Sequence, residues 1–183
     1  MTEARGAFRD PGAFAFVPAL EAAAEHIRAE CLALDRERDF VDSPDSLTSV
    51  ADGYDETGWR WFGLVDAGSA ADDRLARNRA RCPATAAACA AVPGLVNAGF
   101  SLFRPGTRLY PHRGEMAGVL RCHLALVVPD GGDCALRCGG DVRRWTPGRC
   151  LVFDDTFEHD AWNRGSGDRI VLIVTFANAA PPR

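Results

Sequence analysis

The chain lacks the features that would tie it to a membrane, to secretion or to a nucleic acid. No apolar run approaches the roughly 20 residues that a membrane-spanning helix needs. The charged first ten residues contain too few apolar residues for a secretory signal. A formal net charge of −4 gives no general attraction to nucleic acids or to anionic membranes. We therefore expect a cytoplasmic protein with no membrane span and no nucleic-acid partner.

Cysteine motifs for metal binding are also missing, although the chain has seven cysteines. No pair has the two-residue separation of a zinc knuckle, and Cys134 and Cys138 have no second pair of ligands at zinc-site spacing. A chain of 183 residues can bury a core without disulfides, so a disulfide framework is not expected. We interpret most of the cysteines as small buried hydrophobic residues in a reducing compartment.

The residue pattern changes near position 95. Before it, the Ala-rich stretches 18–34 and 74–90 have the spacing and breakers typical of helices, and the Gly- and Asp-rich stretch 42–58 predicts a loop. After it, short β-type runs alternate with Gly, Pro and Asp, which is typical of a sandwich or barrel. The predicted strands are 98–103, 120–128, 134–137, 142–145, 150–153 and 170–176.

These patterns predict one domain over residues 1–183. Its first part, 1–95, is expected to be helical and loop-containing, and its core, 96–178, to be a jelly roll. The predicted fold class is mainly β with N-terminal helices, a cupin-like double-stranded β-helix buttressed by those helices.

Histidine is scarce: the chain has four, and three of them lie in the strand-rich half. A single His at a strand end is most often a hydrogen-bonded polar residue without a catalytic role. His112 follows Pro111, which fixes the backbone, and His159 follows an apolar run and the turn Asp154-Asp155-Thr156. Two imidazoles from different strands of a jelly roll can converge in its mouth, where such folds bind metals and small ligands. The pair therefore indicates a metal site.

A ferrous site that oxidises C–H bonds keeps coordination positions open for a co-substrate and for oxygen. Most such sites have a carboxylate two residues after the first His, and here that residue is Gly114. Glu115 comes one residue later and would point to the opposite face of an extended strand. The residues alone therefore extend the prediction to a metal-binding jelly roll and no further.

Basic residues in the same half suggest an anion site. Arg121 and His123 are two residues apart, so they share one face of a strand. Arg169 begins the last apolar strand, and an Arg directed into a barrel needs an anion, which its guanidinium binds in bidentate fashion. A dicarboxylate such as 2-oxoglutarate would need two such anchors. The alternative is an Arg that caps a strand edge at the surface.

Three stretches carry a dense set of spaced motifs. Residues 101–114 fit S-x-x-x-P-G-T-x-x-x-P-H-x-G, and residues 120–129 resemble L-R-x-H-L-G-L-V-x-P. Residues 145–162 resemble W-x-x-G-x-x-x-x-F-D-D-S-F-x-H-x-x-W, and Arg169 follows ten residues after His159. These motifs resemble those of the aspartyl/asparaginyl β-hydroxylases, which are Fe(II)/2-oxoglutarate-dependent oxygenases. The chain is identified as a stand-alone, bacterial-type member of that family.

The resemblance implies a role for each candidate residue. His112 and His159 would be the two iron ligands, in a family that characteristically lacks the third carboxylate. The residues implied to bind 2-oxoglutarate are Ser101 and Arg169 at its distal carboxylate and Arg121 and His123 beside its C1 carboxylate. The implied reaction uses Fe(II) and O2 to couple decarboxylation of 2-oxoglutarate, giving succinate, to hydroxylation of a C–H bond.

The substrate is less defined, because the chain departs from the founding enzymes. They grip a substrate carboxylate with an Arg two residues before Arg121, where this chain has Val119. We therefore expect an amino-acid-derived small molecule, free or carrier-bound, in a natural-product pathway; hydroxylation of Asp or Asn in a peptide or protein is the alternative. A halogenase could place chloride where Gly114 leaves a position open. A non-catalytic ligand-binding jelly roll would give Arg121 and Arg169 no reason to accompany both His residues.

Overall fold

Two antiparallel sheets form the structure, a computed structural model that describes residues 6–42, 58–69, 72–131 and 133–178. Most of the predicted loop 42–58 lies outside the described residues. The described strands are β1 (Phe8–Arg9), β2 (Val41–Asp42), β3 (Trp59–Asp66), β4 (Leu95–Phe103), β5 (Arg108–His112), β6 (Val119–Val127), β7 (Cys134–Cys138), β8 (Asp141–Arg143), β9 (Cys150–Phe153), β10 (His159–Asn163) and β11 (Arg169–Ala177).

Both predicted helical stretches are confirmed, and each contains two helices. The first holds α1 (Val17–Ala22) and α2 (Ala24–Leu32), and the second holds α3 (Asp73–Arg81) and α4 (Pro83–Ala90). Pro83 stands in the first turn of α4, where its missing N–H has no helical partner to lose. Among the described residues, none of the helices combines the length and the apolar character needed to span a membrane.

The strands alternate between the sheets from β4 onwards. The larger sheet has the order β1-β9-β6-β11-β4-β3-β2, and the smaller has the order β5-β10-β7-β8. Following the chain, β4, β6, β9 and β11 therefore lie in the larger sheet, while β5, the β7–β8 hairpin and β10 lie in the smaller. This alternation is the winding of a double-stranded β-helix, so the predicted fold class is confirmed.

The larger sheet is buried on both faces. Side chains alternate along β11, so Leu172 and Val174 pack toward the helices with Ile27 of α2, while Val171 and Ile173 face the smaller sheet. Burying each such side chain contributes roughly 1.5–3 kcal/mol. The helices cover one face of this sheet and leave the other to form the wall of a cavity.

Two features of the N-terminal part add to the sequence prediction. Residues 1–95 were expected to be helical and loop-containing, but they also supply β1, β2 and the eight-residue β3 to the larger sheet. Buried and exposed side chains do not alternate regularly along β3, because its register with β4 shifts between Gly63 and Val65.

All seven cysteines are buried thiols, as expected. The organisation of the whole chain as one domain stays a prediction.

Candidate active site

One cavity of about 270 Å³ opens between the two sheets. Its walls are the inner faces of β4, β6 and β11 on one side and of β5 and β10 on the other. The six residues singled out from the sequence all line it: Ser101, His112, Arg121, His123, His159 and Arg169. The fold therefore brings side chains that are up to 68 residues apart in the sequence into the same cavity.

The two candidate metal ligands face each other across paired strands. His112 ends β5, His159 begins β10, and the two residues are register partners with ring centroids 4.1 Å apart. Neither strand was among the predicted ones, and Pro111 is unusual in a strand, since proline removes a donor from a sheet. The structure tolerates Pro111 because β5 is the edge strand of the smaller sheet.

Backbone carbonyl groups fix the tautomer of both imidazoles. His112 Nδ1 lies 2.8 Å from the carbonyl oxygen of Tyr110, and His159 Nδ1 lies 2.9 Å from that of Phe157. A carbonyl oxygen only accepts, so each Nδ1 carries the hydrogen and each Nε2 carries the lone pair in the neutral ring. Histidines that bind metals are oriented in this way.

Burial keeps His159 neutral. The side chain is 5% exposed, and desolvation, followed by the neighbouring His112, lowers its pKa to about 4. Its Nε2 lone pair is therefore available at neutral pH. The described part of the chain contains no cluster of three His, Cys, Asp or Glu side chains that could hold a metal ion. The metal-binding groups that these residues supply are therefore two imidazole nitrogens. Position 114, where most such sites have a carboxylate ligand, is a glycine.

The Asp155 carboxylate fills the space beside Gly114. A Cβ atom at residue 114 would stand 2.5 Å from Asp155 Cγ, which is closer than real side chains approach. Asp155 is 1% exposed, and one of its oxygens accepts a 2.6 Å hydrogen bond from Arg121 Nε. Its other oxygen has no hydrogen-bond partner among the described residues.

This role of Asp155 was missed, because the Asp154-Asp155 pair was interpreted as a turn. Asp154 fits that interpretation, since its Oδ1 accepts hydrogen bonds from the backbone N–H and the hydroxyl of Thr156. Asp155 instead lines the cavity. The one available signal was its position four residues before His159, which does not by itself distinguish the two aspartates.

Arg169 provides a buried positive charge at one end of the cavity. It is 1% exposed and forms no ion pair with any described carboxylate. Its guanidinium carbon lies 3.8 Å from the ring centroid of Phe103 and 4.7 Å from that of Trp145. Burial lowers its pKa to about 10, so it stays charged at neutral pH. A buried guanidinium without a carboxylate is a site for an anionic ligand.

A serine hydroxyl lies at the same end of the cavity. Ser101 is 1% exposed, and its Oγ accepts a 3.0 Å hydrogen bond from Trp59 Nε1. An indole N–H only donates, so the hydroxyl hydrogen of Ser101 remains to be given to another acceptor. Trp59 thereby orients Ser101 as a donor, a role that sequence reasoning did not assign to it.

His123 is a buried imidazole with neither ring nitrogen hydrogen-bonded within the described residues. Its ring is nearly parallel to Trp145 and meets Phe153 edge-on at 4.9 Å. Burial, followed by the charges of Arg169 and Arg121, lowers its pKa well below the usual range. The ring is therefore neutral, and its two nitrogens are free to pair with a ligand that enters the cavity.

Comparison with known proteins identifies the family. The family model described as aspartyl/asparaginyl beta-hydroxylase matches residues 21–179. The chain belongs to the aspartyl/asparaginyl β-hydroxylase family. Within that family, a protein of Rhizobium tropici named ornithine lipid ester-linked acyl 2-hydroxylase is 38% identical over 169 residues. The alignment covers 91% of this chain and 59% of the Rhizobium protein.

Mammalian relatives match over a shorter region. The aspartyl/asparaginyl beta-hydroxylase of Mus musculus is 44% identical over 75 residues, which is 41% of this chain and 10% of the mouse protein. The chain therefore spans 59% and 10% of the lengths of these two relatives. Both relatives are named hydroxylases, which supports an enzymatic function for this member of the β-hydroxylase family.

Solved structures agree with the fold. AviO1 from Streptomyces viridochromogenes Tue57 has a TM-score of 0.52 at 16% identity, covering 88% of this chain and 87% of AviO1. HygX from Streptomyces hygroscopicus, solved with nickel and 2-oxoglutarate bound, has a TM-score of 0.52 at 13% identity, covering 87% and 79%. At these identities the likeness places the β-hydroxylase-family chain in the same fold and carries no residue roles.

Proposed function

We propose that this chain is an Fe(II)- and 2-oxoglutarate-dependent hydroxylase of an amino-acid-derived small molecule, free, carrier-bound or acylated. One observation carries the proposal: a pair of imidazoles shares a cavity with the buried guanidinium of Arg169, which has no carboxylate partner among the described residues. A site with few protein ligands suits an oxygenase, because a co-substrate and oxygen need open positions on the metal.

His112 and His159 would hold the ferrous ion through Nε2. When bound, iron with 2-oxoglutarate and O2 supplies the oxidising power for hydroxylation of a C–H bond, and 2-oxoglutarate leaves as succinate and CO2. The carbonyl groups of Tyr110 and Phe157 hold the two rings in position. Each ring would therefore bind the metal without reorganisation of its hydrogen bonds.

Arg169 and Ser101 would bind the distal carboxylate of 2-oxoglutarate. The guanidinium supplies a charged pair of donors, and the hydroxyl supplies one more because Trp59 already occupies a lone pair of Ser101. Phe103 and Trp145 pack on the guanidinium and exclude water from this end of the cavity. In such surroundings the attraction between opposite charges is stronger than in water.

His123 and Arg121 would lie beside the C1 carboxylate. A neutral His123 has one N–H to donate, and its ring is held between Trp145 and Phe153. Arg121 keeps its remaining N–H groups for the ligand, since its Nε is bound by Asp155. The ion pair with Asp155 also fixes the position of the guanidinium.

Three observations bear on the choice between a small-molecule hydroxylase and the alternatives. Val119, which lines the cavity in place of the Arg of the founding enzymes, cannot pair with a substrate carboxylate. The name of the Rhizobium relative adds acylated amino acids to the substrate class. The carboxylate of Asp155 fills the space beside Gly114 and repels an anion there, which disfavours a halogenase.

The test is succinate formation. Anaerobically purified protein receives ferrous iron, 2-oxoglutarate and oxygen together with a pool of amino acids, amino-acid amides and acylated amino acids. We expect substrate-stimulated succinate and a product heavier by one oxygen atom in the mass spectrum. His112→Ala and His159→Ala should abolish both, whereas His26→Ala, on the exposed face of α2, is the matched control and should change neither.

The outcomes separate the alternatives. A chlorine isotope pattern in the product would support a halogenase. Full turnover by either His variant would contradict the assignment of the metal ligands. No succinate, together with no 2-oxoglutarate binding by calorimetry, would contradict the proposal and leave a ligand-binding jelly roll.

A further inference from the structure

Thr175 is a buried hydroxyl that the proposed reaction does not use. It lies on the inner face of β11, lines the cavity and is 2% exposed, yet its Oγ1 has no hydrogen-bond partner among the described residues. A hydroxyl buried without a partner destabilises the folded protein, and valine would fill the same space without that cost. The unpaired hydroxyl at this position therefore indicates that Thr175 forms a hydrogen bond with a ligand.

The residues that pair with Thr175 across the neighbouring strands are also polar. Thr175 is the register partner of Asn97 on β4 and of Arg121 on β6, and Asn97 is the partner of Asp66 on β3. Cross-strand partners point to the same face of a sheet, with Cβ atoms about 5 Å apart. A row of four polar side chains thus crosses four adjacent strands. The β4–β11 register shifts between Thr175 and Phe176, which is where a bulge can redirect a side chain.

Within this row, Arg121 would border the C1 carboxylate of 2-oxoglutarate, whereas Thr175 lies away from Arg169, the proposed anchor of the distal carboxylate. Arg169 and Thr175 are six residues apart on one strand face, which corresponds to about 20 Å along an extended strand. A five-carbon diacid bound at Arg169 is too short to reach Thr175. The row instead borders Val119 and a second cavity of about 610 Å³, which is also lined by Asn97 and Asp66. Its ligand is therefore the substrate that is to be hydroxylated.

The charges around the row select the kind of group that binds there. On one side, Arg121 is paired with the buried carboxylate of Asp155 and, in the proposed complex, with the C1 carboxylate of 2-oxoglutarate. On the other side, Asp66 contributes a negative charge. Three carboxylates line the second cavity against one further cation, so a free carboxylate would meet net repulsion there; these residues are Asp42, Asp66, Asp72 and Arg74. A neutral oxygen acceptor meets no such penalty.

We infer that Thr175 and Asn97 form a subsite that holds the carbonyl oxygen of a neutral amide, ester or thioester group of the substrate. The Thr175 hydroxyl gives one hydrogen and the Asn97 amide another, which together satisfy the two lone pairs of a carbonyl oxygen. This inference rests on the proposed function and narrows its substrate class from amino-acid derivatives in general to acyl derivatives.

The test compares amides and methyl esters of amino acids with the matching free acids as stimulants of succinate formation. We expect the neutral forms to stimulate it and the free acids to fail. Thr175→Val should raise the KM for the best neutral probe roughly 3- to 10-fold, as one lost hydrogen bond predicts, and leave the 2-oxoglutarate KM unchanged. Thr175→Ser, which keeps the hydroxyl, is the matched control and should retain the wild-type KM.

A second measurement separates binding from a structural role. If the Thr175 hydroxyl serves a ligand, Thr175→Val should unfold at the same or a higher urea concentration than the wild type in the absence of substrate. A lower midpoint, an unchanged KM for the neutral probe, or a preference for free acids would overturn the inference. Failure of every neutral probe while 2-oxoglutarate still binds would also overturn it and leave the proposed function standing. Failure of the wild type to bind 2-oxoglutarate would contradict both this inference and the proposed function.

Discussion

Replacing Arg169 with Met should separate stability from ligand binding. Folding disfavours the charged guanidinium, because burial lowers its pKa from its ordinary value to about 10, which corresponds to about 3 kcal/mol. The contacts with Phe103 and Trp145 offset part of this, at about 0.5 to 2 kcal/mol each. Met fills a similar volume without a charge. The free energy of unfolding of Arg169→Met should therefore lie between about 1 kcal/mol below and about 2 kcal/mol above that of the wild type.

The same substitution should remove 2-oxoglutarate binding. Truncating one partner of a buried charge pair costs on the order of 2–5 kcal/mol, so the Kd should rise roughly 30-fold or more. The assay is calorimetric titration of 2-oxoglutarate into protein loaded with Mn(II), with urea unfolding of the metal-free protein alongside. If Arg169 served to stabilise the fold instead, Arg169→Met would be less stable than the wild type and would bind 2-oxoglutarate with unchanged affinity.

Arg137→Met is the matched control, because Arg137 has the carboxylate partner that Arg169 lacks. Its Nε donates a 2.6 Å hydrogen bond to Asp160, which is 2% exposed and would be left unpaired. We expect this variant to lose about 1–3 kcal/mol of stability and to bind 2-oxoglutarate normally. Destabilisation of Arg169→Met like that of the control, with an unchanged affinity for 2-oxoglutarate, would refute the role of Arg169 as the anion anchor.

Three further substitutions test the rest of the site. Trp59→Phe removes the N–H that orients Ser101, so the 2-oxoglutarate KM should rise several-fold with little change in stability; an unchanged KM would contradict that role. Gly114→Ala forces the Asp155 carboxylate to move and should lower stability by about 1–3 kcal/mol in urea unfolding; wild-type stability would contradict the close contact. Below its unfolded pKa of 6.5, His159 charges in the unfolded chain but stays neutral in the folded one until about pH 4. Stability should therefore fall by roughly 2–3 kcal/mol from about pH 7 to pH 4.5, and the fall should be smaller in His159→Gln.

The sequence predicted the histidine pair but not the strands that carry it. The β5 run contains Pro111, and the β10 run, His159 to Asn163, alternates only weakly between apolar and polar residues. Both segments become strands because the smaller sheet supplies partners: β10 pairs with β5 on one side and with β7 on the other. Such pairing joins residues far apart in the chain, so local propensity contains little information about it.

The same limitation explains why Asp155 and Thr175 were not predicted. Two adjacent aspartates are typical of a turn, and local sequence does not determine which of them faces the interior. Thr175 stands in an apolar run that predicts a strand, but its neighbours Asn97 and Arg121 are fixed only by the register of three strands. Arg169 was accessible to sequence reasoning because a charged residue beginning an apolar strand is unusual on its own.

The space beside Gly114 explains why a third carboxylate ligand cannot simply be restored to this site. Asp155 already occupies it, and Arg121 holds Asp155 there in a 2.6 Å ion pair. An Asp introduced at residue 114 would overlap with that carboxylate and repel it. Removing Asp155 to make room would leave Arg121 without its carboxylate partner and with an uncompensated charge near the substrate subsite. A three-ligand site would therefore require coordinated changes at all three positions, so Gly114 and the Asp155–Arg121 pair have to be understood as one structural unit.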